Sequence, residues 1–214
     1  MGFVVAIDGP AASGKGSIAS RLGGVLRFPV LDTGLLYRAA GVALERSGED
    51  LDDEAAAGSV ARSLRPGDLE GEALRTREAG EAASRVAVHP AVRSALLDFQ
   101  RTFAAREPGA ILDGRDIGTV VVPGAACKLF VTASPEVRAR RRHTQLSAQG
   151  DPATYEAVLE DIRRRDARDG ERAAAPMRRA ADAVLLDTTD LDIDAAFDAA
   201  LRIVEASRDR WERS

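Results

Sequence analysis

The sequence predicts an α/β fold, in which a parallel sheet carries helices on both faces. Short apolar runs rich in β-branched residues alternate with longer amphipathic segments along the chain. Strands separated by helices are typical of parallel sheets, because each new parallel strand requires a crossover connection. A glycine-rich stretch, GPAASGKG, directly follows the first apolar run. Together these observations predict a three-layer α/β/α architecture built on five strands.

Each predicted strand is a short apolar run that ends near a polar or turn-forming residue. The strands are residues 3–7, 29–31, 110–112, 128–132 and 183–186. Polar clusters follow three of them, at residues 8–17, 32–34 and 113–116. Because ligands of open parallel sheets bind at the carboxyl ends of the strands, we expect these clusters to form one site.

Helices are predicted where apolar residues recur at helical spacing between start and stop signals. The segments are 17–27, 35–46, 53–64, a long stretch from about 76 that is interrupted at His89-Pro90, then 136–146, 155–169 and 194–208. Pro90 suits the first turn of a new helix, and Ser134-Pro135 is a helix-start signal. The pattern breaks around Arg65-Pro-Gly-Asp.

The composition of the chain limits the classes of protein to which it can belong. The chain has 214 residues, 45% apolar and 4% aromatic, so we expect one domain, 1–214, with an aliphatic core. A formal charge of −4 argues against a general nucleic-acid binder. The single cysteine, Cys127, is expected to be a small buried hydrophobe and cannot form an internal disulfide. Without a leader or a membrane span of ~20 apolar residues, we expect a soluble, cytoplasmic monomer.

One of only two lysines in the chain lies in the glycine-rich stretch. Gly9-x4-Gly14-Lys15 follows a strand and precedes a helix, which is the setting of a phosphate-binding loop. Its backbone N–H groups and the helix N-terminus attract an anion, and the lysine can reach β- and γ-phosphates. The alternative is a tight turn that needs glycine only. The loop residues expected to contact a nucleotide are Gly9, Pro10, Ala11, Ala12, Ser13, Gly14, Lys15, Gly16 and Ser17.

The residue after the lysine departs from the general pattern, which has Ser or Thr there. Gly16 intervenes and Ser17 comes second. The hydroxyl expected on Mg²⁺ is then that of Ser17. Lys-Gly-Ser/Thr is the variant used by nucleoside monophosphate kinases, so the departure itself favours that class of P-loop protein.

Six segments carry a resemblance to a known family. They are IDGPAASGKG, LDTGLLYR, LRTREAGEAASRVA, HPAVRSALLDFQR, LDGRDIGTVV and RRRDARDGERAAAP. In this order, from residue 4 to about residue 188, they resemble the cytidylate kinases, bacterial enzymes that phosphorylate CMP and dCMP from ATP. The resemblance implies a P-loop NTPase fold, ATP as co-substrate with Mg²⁺, and CMP or dCMP as the acceptor.

The resemblance also implies roles for individual residues. Lys15, Arg115 and Arg172 are the implied catalytic residues. The implied acceptor-binding residues are Thr33, Arg38, Ser84, Arg93, Arg115, Asp116, Arg165, Asp169 and Arg172. Arg38, Arg115 and Arg172 would hold the phosphate, Arg165 and Asp169 the ribose, and Asp116 with Arg93 and Ser84 the cytosine. Arg165, Asp169 and Arg172 also share one stripe of a continuous helix, unless Gly170 ends that helix.

Two regions are expected to cover the nucleotides. By resemblance, residues 53–106 form a helical acceptor-binding region and residues 138–152 a mobile lid over ATP. The segment between Arg62 and Arg75 is too short for the strand-rich insert of longer family members. One or two of the lid arginines are expected to contact phosphate, out of Arg138, Arg140, Arg141 and Arg142. Arg163 and Arg164 are expected on a solvated helix face.

Several polar residues keep two interpretations. Asp32 and Asp113 end predicted strands, where a carboxylate either caps a helix or turn or lies near the metal. His89 and His143 have no partner spacing that suggests a metal site or a catalytic triad. We expect both histidines to be structural or to face solvent.

Two rival functions remain to be separated. Another small-molecule kinase of this fold, acting on AMP, gluconate or shikimate, is allowed by the loop but disfavoured by residues 75–116 and 165–172. A GTP-dependent switch would favour an Asn/Thr-Lys-x-Asp motif, which is absent because lysine occurs only at positions 15 and 128. ADP release that depends on one monophosphate separates a kinase from a switch.

Overall fold

The five predicted strands are all confirmed in a computed structural model of the protein, which describes residues 2–213. They are β1 (Phe3–Asp8), β2 (Val30–Asp32), β3 (Gly109–Gly114), β4 (Cys127–Thr132) and β5 (Val184–Asp187). Every neighbouring pair is parallel, in the order β2-β3-β1-β4-β5. Because β1 is central, the glycine-rich loop leaves from the middle of the sheet's carboxyl edge.

Eight α-helices lie within the described range, close to the predicted bounds. They are α1 (Lys15–Leu26), α2 (Thr33–Arg46), α3 (Glu54–Ser63), α4 (Arg77–Val86), α5 (Pro90–Ala104), α6 (Pro135–Ala148), α7 (Tyr155–Glu171) and α8 (Ile193–Trp211). The side chains of Thr76 and Ser134 cap α4 and α6 at their N-termini. Pro90 is the first residue of α5, so the predicted break at His89-Pro90 is confirmed.

Apolar side chains pack on both faces of the sheet. Val4 and Ala6 of β1 belong to a core cluster with residues of α2, α3, α4 and α5. Val5 and Ile7 point to the other face and belong to a cluster with α1 and α8. Successive strand residues face opposite sides, so β1 is buried along its whole length. The predicted three-layer α/β/α architecture is confirmed.

Helices α6 and α7 form an antiparallel pair beside the loop. Ala139 and Leu146 of α6 pack against Val158 and Ile162 of α7 in a small apolar cluster of their own. The predicted lid, residues 138–152, consists of most of α6 and part of the connection to α7. Helix α7 continues through Gly170 and ends at Glu171, so Gly170 does not end it, but Arg172 is its C-cap and lies outside the predicted helical stripe.

The stretch between α3 and α4 is short and lacks strands. Two 3₁₀ turns, Pro66–Leu69 and Glu72–Arg75, occupy the segment in which the sequence pattern breaks. A π-helical turn, Ile117–Val121, follows β3 and was not predicted. Within residues 2–213, no helix has the length and apolar character that crossing a membrane requires.

Candidate active site

The glycine-rich loop turns tightly between β1 and α1. Gly9 has φ of 141°, and a Cβ there would lie 1.9 Å from the carbonyl oxygen of Val131 in β4. Gly14, at the N-cap of α1, has φ of 95°. Both positions require glycine, the first for close approach to a neighbouring strand and the second for its left-handed backbone. The loop therefore brings its backbone to the N-terminus of α1.

Lys15 is the first residue of α1 and is only 5% exposed. Its Nζ donates a hydrogen bond to the Pro10 carbonyl at 3.0 Å and lies 3.7 Å from Oδ1 of Asp113. Burial, helped by the nearby Arg115 guanidinium, lowers the pKa of Lys15 to about 8. The ammonium is therefore still mostly protonated at pH 7.

A cavity of about 340 Å³ opens at the carboxyl ends of β1, β2 and β3. Six cationic side chains line this first cavity: Lys15, Arg38, Arg77, Arg115, Arg142 and Arg165. Four carboxylates join them, those of Asp32, Glu81, Asp113 and Asp161. The excess of positive charge suits phosphate groups, which arginine grips with two parallel hydrogen bonds.

A second cavity of about 390 Å³ adjoins the first across the glycine-rich loop. Ala12, Gly14, Ser17, Arg142 and Gln145 line both cavities. The second cavity is also lined by apolar side chains of Ile18, Leu191, Ile193 and Ala196, and by Thr188 after β5. Sequence analysis missed it, although the polar run Asp187-Thr-Thr at the end of the fifth strand was a signal of the kind used for the other three clusters.

Buried ion pairs next to the first cavity join six predicted acceptor residues in two groups. Arg115 Nε donates to Asp169 Oδ2 at 3.1 Å, and the guanidinium groups of Arg165 and Arg172 lie 3.9 Å from the same carboxylate. Burial opposes ionisation of Asp169, but Arg115, Arg165 and Arg172 together lower its pKa. Arg93, from α5, forms a short ion pair with Asp116.

Asp116 pairs with Arg93, the residue that the resemblance places beside it, and not with the adjacent Arg115. The Arg115 side chain turns to Asp169, a pairing that the sequence did not predict. The two side chains diverge because the π-helical turn starts there, with its N–H groups of Ile117 and Gly118 donating to Asp8 at 2.7 and 2.8 Å.

Three buried polar atoms of this cluster lack hydrogen-bond partners among the described residues. They are Ser84 Oγ, Arg165 Nε and Arg172 Nε. A buried donor without an acceptor costs about 1–3 kcal/mol, so native proteins rarely leave one unpaired without a reason. A ligand with acceptor oxygens or nitrogens would satisfy them.

The remaining acceptor residues are held by backbone carbonyls. Arg38 lines the first cavity and donates to Leu74 O at 2.8 Å. The buried Thr33 hydroxyl donates to Asp113 O at 2.8 Å. Thr33 therefore fixes the end of β2 to the end of β3.

Asp32 and Asp113, the two strand-end carboxylates, both line the first cavity, and Asp32 is also a helix cap. Asp32 caps α2 by accepting from Gly34 N at 2.9 Å, and it also lines the first cavity. Asp113 is buried in the cavity wall beside Lys15, and burial raises its pKa to about 6. Asp8, at the end of β1, also has its pKa raised to about 6 by burial.

The lid arginines divide by position. Arg142 lines both cavities, and Arg141 lines the second, where its Nη2 donates to Thr188 O at 2.7 Å. Arg138 is buried outside both cavities in an ion pair with Asp166, and Arg140 is exposed. Arg142 and Arg141 are thus the two of these four arginines that line a cavity.

Other residues weighed from the sequence lie away from the cavities. Arg163 and Arg164 are exposed and pair with Glu136 and Asp161. His89 Nε2 lies 2.9 Å from Leu51 O, and the His143 ring meets Tyr155 edge-on. Cys127 is buried at the start of β4, as expected.

Two adjoining cavities with an excess of cations suit phosphoryl transfer between two phosphate-bearing molecules, which is the chemistry of P-loop kinases. A model of the cytidylate kinase family matches residues 5–206. The cytidylate kinase of Caulobacter vibrioides is 62% identical over 210 residues, 98% of this chain and 99% of the relative. That of Xanthobacter autotrophicus is 62% identical over 206 residues, 96% of this chain and 99% of the relative. The chain belongs to the cytidylate kinase family and is an ATP-dependent nucleoside monophosphate kinase.

Solved structures with low identity share the fold. An uncharacterised protein from Eubacterium ventriosum has a TM-score of 0.55 at 12% identity, over 95% of this chain and 98% of its own. A sugar kinase from Janibacter has a TM-score of 0.51 at 14% identity, over 96% of this chain and 95% of its own. At such identities they support the fold alone.

Proposed function

We propose that the chain transfers the γ-phosphate of ATP to CMP or dCMP in the first cavity, giving ADP and CDP or dCDP. One observation carries this proposal: the loop lysine and three acceptor arginines, Arg38, Arg115 and Arg165, line a single cavity. Cations of both the donor site and the acceptor site are needed there, because two negatively charged, phosphate-bearing substrates must approach each other closely.

The donor nucleotide is held by the loop and the second cavity. The loop amides and Lys15 contact the β- and γ-phosphates, and Arg142 reaches them from α6 because it lines both cavities. The apolar side chains of the second cavity cover the adenosine. Residues 138–152 close over ATP and exclude water, which would otherwise compete as the phosphoryl acceptor.

The acceptor nucleotide is held by the buried ion pairs. Arg38, Arg115 and Arg172 hold its phosphate, and Arg165 with Asp169 its ribose. Thr33 lies at the base of this site, where its hydroxyl fixes the strand ends. The unpartnered Nε atoms of Arg165 and Arg172 support these assignments, because phosphate and ribose oxygens would accept from them.

The base is read by Asp116, Arg93 and Ser84. Cytosine presents an amino donor at N4 and an acceptor at N3, whereas uracil presents the opposite groups. The Asp116 carboxylate accepts from N4, and Arg93 and Ser84 donate to N3 and O2. The buried, unpartnered Ser84 hydroxyl supports this part of the proposal.

The residues present fit a Mg²⁺ ion that is bound mainly by the nucleotide. Within residues 2–213, no group of three or more His, Cys, Asp or Glu side chains is placed to hold a metal. Mg²⁺ in kinase sites needs only one or two protein oxygens beside phosphates and water. Ser17, in the first turn of α1, would supply one, with Asp32 and Asp113 in the same cavity wall. When bound, the ion offsets the charge of the phosphates.

Catalysis is then positioning and charge stabilisation. An ionised phosphate monoester is already a nucleophile, so the acceptor attacks the γ-phosphorus in line without a general base. Lys15, Arg115 and Arg172 stabilise the charge on the transferred group and on the acceptor phosphate.

We propose the following setting for the enzyme. Residues 1–214 form a single domain, with residues 53–106 as the acceptor-binding region. The enzyme acts as a monomer in the cytoplasm on ATP and CMP or dCMP, with no nucleic-acid or membrane partner.

The test is ADP release coupled to a panel of acceptors: CMP, dCMP, UMP, AMP, gluconate and shikimate. We expect CMP and dCMP to give the highest kcat/KM, and release without an acceptor to be negligible. Faster turnover with AMP, gluconate or shikimate than with either cytidine nucleotide would overturn the proposal.

A further inference from the structure

Arg138 is the most buried arginine of the lid segment and lies outside both cavities. Its side chain is 4% exposed. Nε donates to Ala133 O at 2.9 Å, and Nη1 donates to Ala11 O at 3.3 Å. Both Nη atoms donate to the Asp166 carboxylate, at 3.0 and 2.5 Å. One guanidinium therefore contacts the end of β4, the glycine-rich loop and α7.

The contact with Ala11 affects the orientation of one loop peptide. In a trans peptide the C=O and N–H groups point in opposite directions. Because the Ala11 carbonyl faces Arg138, the N–H of Ala12 faces away from it. Ala11 and Ala12 both line the first cavity, and Ala12 has φ of 59°, which is uncommon for a residue other than glycine.

Other loop carbonyls are held in the same way. Pro10 O accepts from Lys15 at 3.0 Å, and Ser13 O accepts from the Thr188 hydroxyl at 3.0 Å. Together with the contact to Arg138, three carbonyls of the loop are therefore held by side-chain donors. Asp166 in turn lies next to Arg165 in α7, so the loop is tied to the helix that carries acceptor residues.

We propose that Arg138, held by Asp166, is a positioning residue of the donor site. It fixes the Ala11–Ala12 peptide so that the loop N–H groups stay turned toward the phosphates of ATP. This deepens the proposed function and rests on it. The competing explanation is an ion pair that only packs α6 against α7.

The test compares variants at this pair with a matched control. Arg163 and Glu136 also join α7 and α6, at 3.0 Å, but their side chains are 56% and 49% exposed. Arg138→Met removes the guanidinium, Arg138→Lys retains charge without the planar fork, and Arg163→Met is the control. The dissociation constant of ATP, measured by equilibrium titration without acceptor, is compared with the melting temperature and with KM for CMP at saturating ATP.

We expect Arg138→Met to raise the dissociation constant of ATP at least about tenfold and Arg138→Lys at least about threefold, because a single ammonium cannot replace a fork with three partners. KM for CMP should change less than the ATP constant, and Arg163→Met should bind ATP within about twofold of wild type. If Arg138→Met does not fold, Arg138→Lys decides alone.

A lower melting temperature with wild-type ATP binding in Arg138→Lys would overturn the inference and leave packing as the role of the pair. The proposed function fails by a different result. A wild-type protein that binds ATP but does not phosphorylate CMP would refute the reaction without bearing on Arg138.

Discussion

The Lys15 ammonium lies 3.7 Å from the Asp113 carboxylate, and the two side chains are only 6% and 8% exposed. Burial outweighs their attraction for each other, since it lowers the pKa of Lys15 to about 8 and raises the pKa of Asp113 to about 6. The ligand-free site therefore carries charges that destabilise the fold. Such a cost is typical of functional sites, where bound ligands offset it.

Asp113→Asn should make the ligand-free protein more stable at neutral pH. The folded-state pKa of Asp113, about 6, lies above its ordinary value of 3.8, so the folded protein binds this proton more tightly than the unfolded chain does. The wild type therefore loses stability as the pH rises from 4 to 6, and asparagine has no proton to lose.

We expect the stability of Asp113→Asn relative to wild type to increase by ~2 kcal/mol between pH 4 and pH 7. Urea unfolding at four pH values measures it. The titration of Asp8, whose pKa is also raised to about 6, cancels in the comparison because both proteins contain it. A difference that does not change with pH would contradict the burial argument.

Lys15→Met should leave the fold intact and lower turnover by several orders of magnitude. The ammonium acts on charge that develops on the transferred phosphoryl group, and methionine fills a similar volume without charge. Single-turnover kinetics and circular dichroism measure the two properties.

Lys128→Met is the matched control, because Lys128 is the only other lysine in the sequence. It lies outside both cavities and pairs with Asp182 at 2.7 Å. Its loss should affect stability and leave turnover near that of wild type. Near-normal turnover in Lys15→Met would refute the phosphate-binding role of the loop.

Closure of residues 138–152 should require both substrates. The arginines of α6 are sites for trypsin, and Arg140 is exposed. Limited proteolysis without ligand, with ATP, with CMP and with both should show strong protection only in the last case. The same rate of cleavage in all four would exclude a lid.

Much of the fold follows from local patterns in the sequence. All five strands were predicted because each is a short apolar run that is bounded by turn residues, and Pro90 marked the start of α5. The strand order was not predicted, since it depends on which strands pair across the sheet. The π-helical turn at Ile117–Val121 was also missed, because it depends on hydrogen bonds to the distant Asp8.

The sequence predicted which residues lie at the candidate site better than it predicted which of them form ion pairs with each other. Motifs identified Arg93, Arg115, Asp116 and Asp169, and the structure brings them together. The resemblance placed Arg93 beside Asp116, but the pair between Arg115 and Asp169 was not predicted. A side chain's direction after a strand depends on the backbone of the following turn, and no local pattern revealed that turn.

Asp116 is the residue proposed to distinguish cytosine from uracil, and Asp116→Asn tests that role. The asparagine retains the shape, but its amide can turn to donate to uracil O4, which the carboxylate rejects. A carboxylate facing O4 would place two acceptors together in a buried site, at a cost of roughly 1–3 kcal/mol. Asp98→Asn, at an exposed position of the same helix as Arg93, is the control.

The measurement is the ratio of kcat/KM for CMP to that for UMP. In Asp116→Asn we expect this ratio to fall at least about tenfold, mostly through loss of activity on CMP, whereas Asp98→Asn should keep the wild-type ratio. An unchanged ratio in Asp116→Asn, with both substrates weakened equally, would contradict the account and show that the Arg93–Asp116 pair holds structure without reading the base.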